Sequence, residues 1–174
     1  LEQLATAAIL TGHRAEGRSA LARAHEQALD AGIFDRAATC AFYLGWELHH
    51  AGEMSQAGGW WGRARTIVEE RGLAGAESGY VLVPEGFRCL FEGDPADSLA
   101  LFLAAREIGG RPRDITLRPV ATNGVARARL RLGDVPGAMA AFDEVMVFAG
   151  TGNVHPLMVG MIYCGMLESC RDLF

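Results

Sequence analysis

Residues 44–64, LGWELHHAGEMSQAGGWWGRA, read as a helix, a glycine turn and a second helix. Leu44, Gly45 and Leu48 share one face of the first helix, and Gly52 interrupts the chain. Ala57, Trp61 and Ala64 follow at spacings of four and three, which places them on one face of the second helix. Gly45 and Ala57 are small enough to let two helix backbones approach closely, and Trp61 is left to fill the remaining gap. This is the pattern of a packed antiparallel helix pair.

Outward from this stretch the pattern recurs. Gly12, Gly52, Gly93 and Gly133 are spaced by 40, 41 and 40 residues. Five residues after each stands a small residue: Gly17, Ala57, Ser98 or Ala138. Four further on stands a large apolar one, Leu21, Trp61, Phe102 or Phe142, and three beyond that Ala24, Ala64, Ala105 or Val145. A recurrence of this length marks an array of stacked helix pairs, each burying its apolar face against its neighbours. The expected fold is all-α: a right-handed α-solenoid of antiparallel helix pairs, about nine helices in one domain over residues 1–174.

The punctuation places the helices. They are expected over residues 1–11, about 14–31 and 35 to about 51, then one ending near 70, one over about 77–92, one beginning at 94–95, one running to 132, one beginning at 134–136 and closed by residues 150–153, and one from about 156 to the end. Asp35 reads as an N-cap, and Asp94-Pro95 and Asp134 with Pro136 read as helix starts. Pro84 falls inside the fifth helix, where proline costs on the order of 3 kcal/mol; the helix therefore begins near Pro84 or is kinked there. Residues 72–79 and 109–112 read as connections between repeats. The chain opens without methionine and closes inside an apolar helical run, so it is expected to be a segment of a longer chain, cut at both ends. The last helix would then lack its partner. Met158, Met161, Ile162, Met166 and Leu167 would form a partly uncovered face, open to a following helix or to self-association.

Composition narrows the function classes. Half of the residues are hydrophobic and 21% are charged, which argues for a packed core and against disorder. A formal charge of -5 gives no global signal for nucleic acid or a membrane surface. There is no lysine; every basic residue is arginine. That excludes a phosphate-loop lysine and a Schiff-base lysine. No apolar run approaches the length of a membrane span, and no signal-peptide pattern opens the chain. Cys40, Cys89, Cys164 and Cys170 show no paired spacing and lie in apolar helical runs. They read as reduced core cysteines of a cytoplasmic protein.

The repeat resembles the tetratricopeptide motif, with Leu44-Gly45, Leu48, Gly52, Ala57, Trp61 and Ala64 at its signature places. Its period is longer than that family's usual one, which implies extended helices. The third and fourth repeats carry Glu85-Gly86 and Val125-Ala126 in place of leucine-glycine, and Arg129 stands where a large buried residue is expected. Over its whole length the chain also resembles the helical-repeat part of long actinobacterial transcriptional regulators of the LuxR type. Residues 1–8 (LEQLATAA), 36–65, 79–84 (GYVLVP) and 154–174 (VHPLMVGMIYCGMLESCRDLF) carry that likeness. The resemblance implies a regulatory segment, with a DNA-binding helix-turn-helix beyond Phe174 and no nucleic-acid contact by this segment.

In a stacked array the first helix of each pair lines the concave surface. The register places Phe42, Trp46, His49 and His50 there, then Val83, Phe87 and Leu90, then Asn123, Arg127 and Arg131. Such a groove, aromatic at one end and basic at the other, suits an extended peptide or an amphipathic helix, with Trp46 as an anchor and arginine as a carboxylate clamp. The competing reading packs these side chains between repeats. Trp61, in contrast, is expected in the core. Arg111, Arg113, Arg118, Arg127, Arg129 and Arg131 face a single acid, Asp114. They read either as an attractor of acidic groups or as a solvated face paired with Glu85, Glu92 or Asp143.

Other chemistry is weakly supported. His49 and His50 diverge by about 100° on a helix; with Glu53 they make a poor metal site, since zinc takes three or four ligands. Residues 150–153 (GTGN) follow a helix and lack lysine, so they read as a connection. Cys164 and His155 sit nine apart with no third group. Glu69-Glu70 end a helix. No cofactor, metal or catalytic residue is expected. The chain reads as a non-enzymatic regulatory or protein-interaction segment of a LuxR-type regulator. A free-standing tetratricopeptide scaffold is the alternative, and an enzyme with a pocket between repeats the third possibility.

Overall fold

Glycine in the left-handed region separates helix from helix. Gly12, Gly52, Gly93 and Gly133 have φ of 89°, 80°, 95° and 84°, a conformation that costs an L side chain roughly 1–2 kcal/mol. The residue after each donates its N–H to the carbonyl five residues earlier: His13 to Ala8, Glu53 to Leu48, Asp94 to Cys89 and Asp134 to Arg129, at 2.8 to 3.0 Å. These bonds satisfy carbonyls that a helix end leaves without partners.

The computed structural model describes residues 1–110, 114–152 and 154–171, and among them the chain is helical with no strand. Two compact units divide it at Val81 and Leu82. The first holds α1 (Glu2–Leu10), α2 (Arg14–Asp30), α3 (Phe34–His50), α4 (Met54–Arg71) and α5 (Ala76–Tyr80). The second holds α6 (Leu82–Glu92), α7 (Pro95–Ile108), α8 (Leu117–Arg131), α9 (Val135–Gly150) and α10 (Pro156–Arg171). In the first unit α1 packs on α2, α2 on α3 and α3 on α4; in the second α6 packs on α7, α7 on α8, α8 on α9, and α10 on both α8 and α9.

Small residues set these contacts. Gly17, Ala57, Ser98 and Ala138 are buried, as are Leu21, Phe102 and Phe142; Trp61 is half-buried. In the second unit the fully buried Phe102 of α7 is held between Gly86 of α6 and Gly124 of α8. A Cβ on Gly86 would stand 2.8 Å from Phe102 Cζ, and one on Gly124 would collide with the ring. The buried Ser98 hydroxyl donates to the Gly86 carbonyl at 2.8 Å, so this close approach leaves the hydroxyl satisfied. In the first unit Trp61 of α4 occupies the space over Gly45 of α3, and its indole N–H donates to the Phe42 carbonyl at 3.3 Å.

Asp94 and Asp134 cap α7 and α9 as expected, accepting from the Asp97 and Gly137 N–H groups at 3.2 and 2.9 Å. Three details differ from the sequence reading. The expected fifth helix over 77–92 is two, broken at Val81; α6 begins near Pro84, as one of the two readings had it, and Pro84 falls in its first turn, where its missing N–H would have had no partner. Asp35 lies inside the first turn of α3 rather than at its cap, and accepts the Arg36 N–H at 2.8 Å. Of the last helix's expected open face, Met158, Met161 and Ile162 are buried and Met166 packs against Ala126, Ala141 and Phe142; Leu167 remains exposed. Asn153 and Phe174 lie outside the described residues.

Candidate functional site

α8 is buried along almost its whole length, from Leu117 to Ala128. It tolerates this because Ala121, Gly124, Ala126 and Ala128 let its neighbours approach. Within that run Arg118 is exposed, and Arg127 is the charged side chain that is almost enclosed. Its guanidinium carbon lies 5.3 Å from the Phe87 ring and 5.6 Å from the Phe91 ring, both on α6. On the α10 side Gly165 makes room for it: a Cβ there would stand 3.0 Å from Arg127 Nη1.

The Arg127 side chain is 11% exposed, and Nη2 reaches Glu168 of α10 at 3.6 Å. Its Nε is buried without a hydrogen-bond partner among the described residues. Burial holds the guanidinium below its ordinary pKa; Arg131 pushes the same way and Glu168 pulls back. Arg127 nonetheless stays charged, since arginine does not deprotonate in proteins. One helical turn earlier, Asn123 is fully buried and its Nδ2 donates to the Ile162 carbonyl at 3.2 Å, while Oδ1 finds no partner among the described residues.

A pocket of about 510 Å3 opens beside Arg127. Leu90 and Phe91 of α6 and Leu130 of α8 give it an apolar wall. Arg131 joins Arg127 from α8, and Glu168, Ser169 and Arg171 come from α10. Chemically this is a cationic niche with one exposed carboxylate and an aromatic side, suited to holding an anion with an apolar body.

The expected groove residues fall in both units. Phe87, Asn123, Arg127 and Arg131 belong to the second, where Phe87 and Asn123 are buried and Arg131 is exposed. Phe42, Trp46 and His49 belong to the first. Phe42 and Trp46 are 1% and 5% exposed, within an aromatic cluster that includes Tyr80, 4.6 Å from Phe42, and Trp61, 6.0 Å from Trp46. They pack as core, and Trp46 is more buried than Trp61, the reverse of their expected order. His49 stacks on Trp46 at 5.5 Å; burial, and then the neighbouring His50, hold its pKa below the ordinary imidazole value.

Arg118, Arg127 and Arg129 of the arginine run are paired, though not with the expected acids. Arg118 meets Glu144 at 3.0 Å and Arg129 approaches Asp134 at 3.8 Å. Glu85 and Glu92 bind Arg88 instead. Arg129 also donates to the Gly137 carbonyl at 3.1 Å, which tethers α8 to the start of α9 where a large apolar residue was expected. Arg111 and Arg113 lie outside the described residues. Glu53 binds Arg18 at 2.7 Å, and no group of three metal-ligating side chains assembles among the described residues. His155 Nδ1 accepts from the Leu157 N–H at the start of α10, and Cys164 is exposed. Of the cysteines only Cys40 and Cys89 are buried; Cys170 is half-buried.

The pocket residues Phe91, Leu130, Glu168, Ser169 and Arg171 were not expected. One signal points to some of them: Arg127 and Glu168 are 41 residues apart, a spacing that brings equivalent helix positions together in a stacked array. No described helix is long and apolar enough to cross a membrane. No family model, no curated protein and no solved structure matches the chain.

Proposed function

We propose that this chain is a non-catalytic helical-repeat segment that works by binding: a right-handed α-solenoid of the tetratricopeptide kind, with a 40–41-residue period. The four left-handed glycines at that spacing support the repeat reading, as do the close contacts of Trp61 with Gly45 and of Phe102 with Gly86. The observation that carries binding is Arg127, a cation whose side chain is only 11% exposed and whose Nε is unsatisfied among the described residues, at the edge of a pocket. Residues kept only for stability seldom take this form, because a buried charge without full pairing costs free energy.

In its fuller form the proposal makes the chain the regulatory arm of a cytoplasmic LuxR-type regulator. The helix-turn-helix would follow Phe174, and a protein or peptide partner would present an acidic group to Arg127. The test is the reading frame beyond Phe174, followed by operator binding with and without residues 1–174. A terminal helix-turn-helix, and operator affinity altered by the segment, are expected. A frame closing without a DNA-binding domain would end the regulator half of the proposal.

A further inference from the structure

Arg127 and Arg131 lie one helical turn apart on α8 and open onto one pocket, with Arg171 beside them. Among the described residues lining it, Glu168 is the single carboxylate. Its side chain is 66% exposed, and it lies 3.6 Å from one nitrogen of Arg127.

We propose that this pocket binds an organic carboxylate with an aromatic or alkyl body, the carboxylate between Arg127 and Arg131 and the body against Leu90, Phe91 and Leu130. The proposal deepens the binding reading above and rests on it. Charge is the first support. Among the described residues, the two guanidinium groups of Arg127 and Arg131 open onto a pocket with one exposed carboxylate, in a chain whose formal charge is -5. An anion placed here would relieve both the burial of Arg127 and its repulsion from Arg131, through charge-assisted hydrogen bonds. Shape is the second. A volume of about 510 Å3 lies in the range of small-molecule sites, roughly 300–1,000 Å3. The apolar wall is the third: Phe91 leaves 61% of its surface exposed, area that an inorganic anion would not cover and an organic body would.

The test uses the folded chain with benzoate, 2-naphthoate and decanoate, each against its uncharged primary amide. Inorganic phosphate, and one peptide ending in phenylalanine with a free or an amidated C-terminus, complete the set. Thermal midpoints and calorimetric titration are the readouts. At least one free acid should raise the midpoint where its amide does not, and Arg131→Gln should weaken that acid about tenfold. Arg127→Met should abolish its binding while holding or raising the midpoint of the unliganded chain, because the substitution removes a buried charge. Tighter binding of the free-ended peptide than of the small acids would identify a peptide as the source of the carboxylate; the reverse order would identify a small molecule. The proposal is overturned if acids and amides behave alike, if no acid shifts the midpoint, if phosphate acts as strongly as the acids, or if both variants keep full affinity. None of these outcomes bears on whether a helix-turn-helix follows the segment, so the two readings fail separately.

Discussion

The Trp61 indole lies across Gly45 of the neighbouring helix, close enough that a Cβ at Gly45 would stand 2.5 Å from Nε1. The contact joins packing to hydrogen bonding, since the same N–H reaches the Phe42 carbonyl. Gly45→Ala should push the indole aside and cost about 1–3 kcal/mol, the usual range for overpacking. Trp61→Ala should cost about 3 kcal/mol, at the low end for a large aromatic because the ring is half-buried. Urea unfolding of the two variants and the double variant checks this. Once the indole is gone, Gly45→Ala should add almost nothing, so strictly additive costs would show that the two residues do not meet.

Phe102 is enclosed more completely. Phe102→Ala should cost about 3–5 kcal/mol, toward the upper end, because Gly86 and Gly124 have no side chains to relax into the cavity. A midpoint shift as small as that of a surface substitution would contradict the placement of the ring.

His49 couples the first unit to pH. Its folded pKa is depressed by burial and by His50, so the unfolded state binds the proton more tightly. Stability should therefore be complete above the ordinary imidazole value of 6.5 and be lost progressively as pH falls below it. His49→Phe, which keeps a ring between Trp46 and Trp61, should flatten that acid slope. Denaturation curves between about pH 7.5 and pH 5 measure it, and an unchanged slope would assign the acid sensitivity to other groups.

The cysteines should separate by reactivity. Burial and the nearby Glu2 carboxylate push the Cys40 thiol up to about 12, which leaves almost no thiolate at neutral pH. Cys164 is exposed and should be alkylated first by iodoacetamide. Cys40 should react only after denaturant is added. Peptide mapping of a time course decides it; early labelling of Cys40 would mean that α1 opens readily.

Turns were the most legible part of this chain. Gly52 and its counterparts stand where the backbone needs positive φ, a requirement that few other residues meet, and Asp94-Pro95 shows a helix start in two letters. The break at Val81 was legible only through Pro84, three residues later, which marked a helix start or a kink without fixing its place. Faces were harder to read. In α3 almost every residue from Ala37 to Leu48 is buried, so its periodicity marks no single inward side, and Trp46 could be placed in a groove as readily as in the core. Arg127 and Arg131 were legible as a cationic pair, because they stand four residues apart and share one face of a helix. Glu168, the partner of Arg127, was legible only through the 41-residue repeat spacing, because the pairing depends on how α10 lies against α8 and the neighbouring residues do not encode that.

The seven left-handed glycines, Gly12, Gly32, Gly52, Gly72, Gly93, Gly133 and Gly152, have empty space where a Cβ would stand. Gly45, Gly86 and Gly124 have an aromatic ring there. The chain thus uses one residue type to meet two unrelated demands: at the turns the left-handed φ excludes an L side chain although volume is free, while in the helices φ admits an L side chain but a ring fills its volume. A mirror-image alanine introduced by chemical synthesis would tell them apart. At Gly52 it should be accepted, and should even stabilise the fold by restricting the unfolded chain. At Gly45 neither enantiomer suits, the L form because of the ring and the D form because of the right-handed helix.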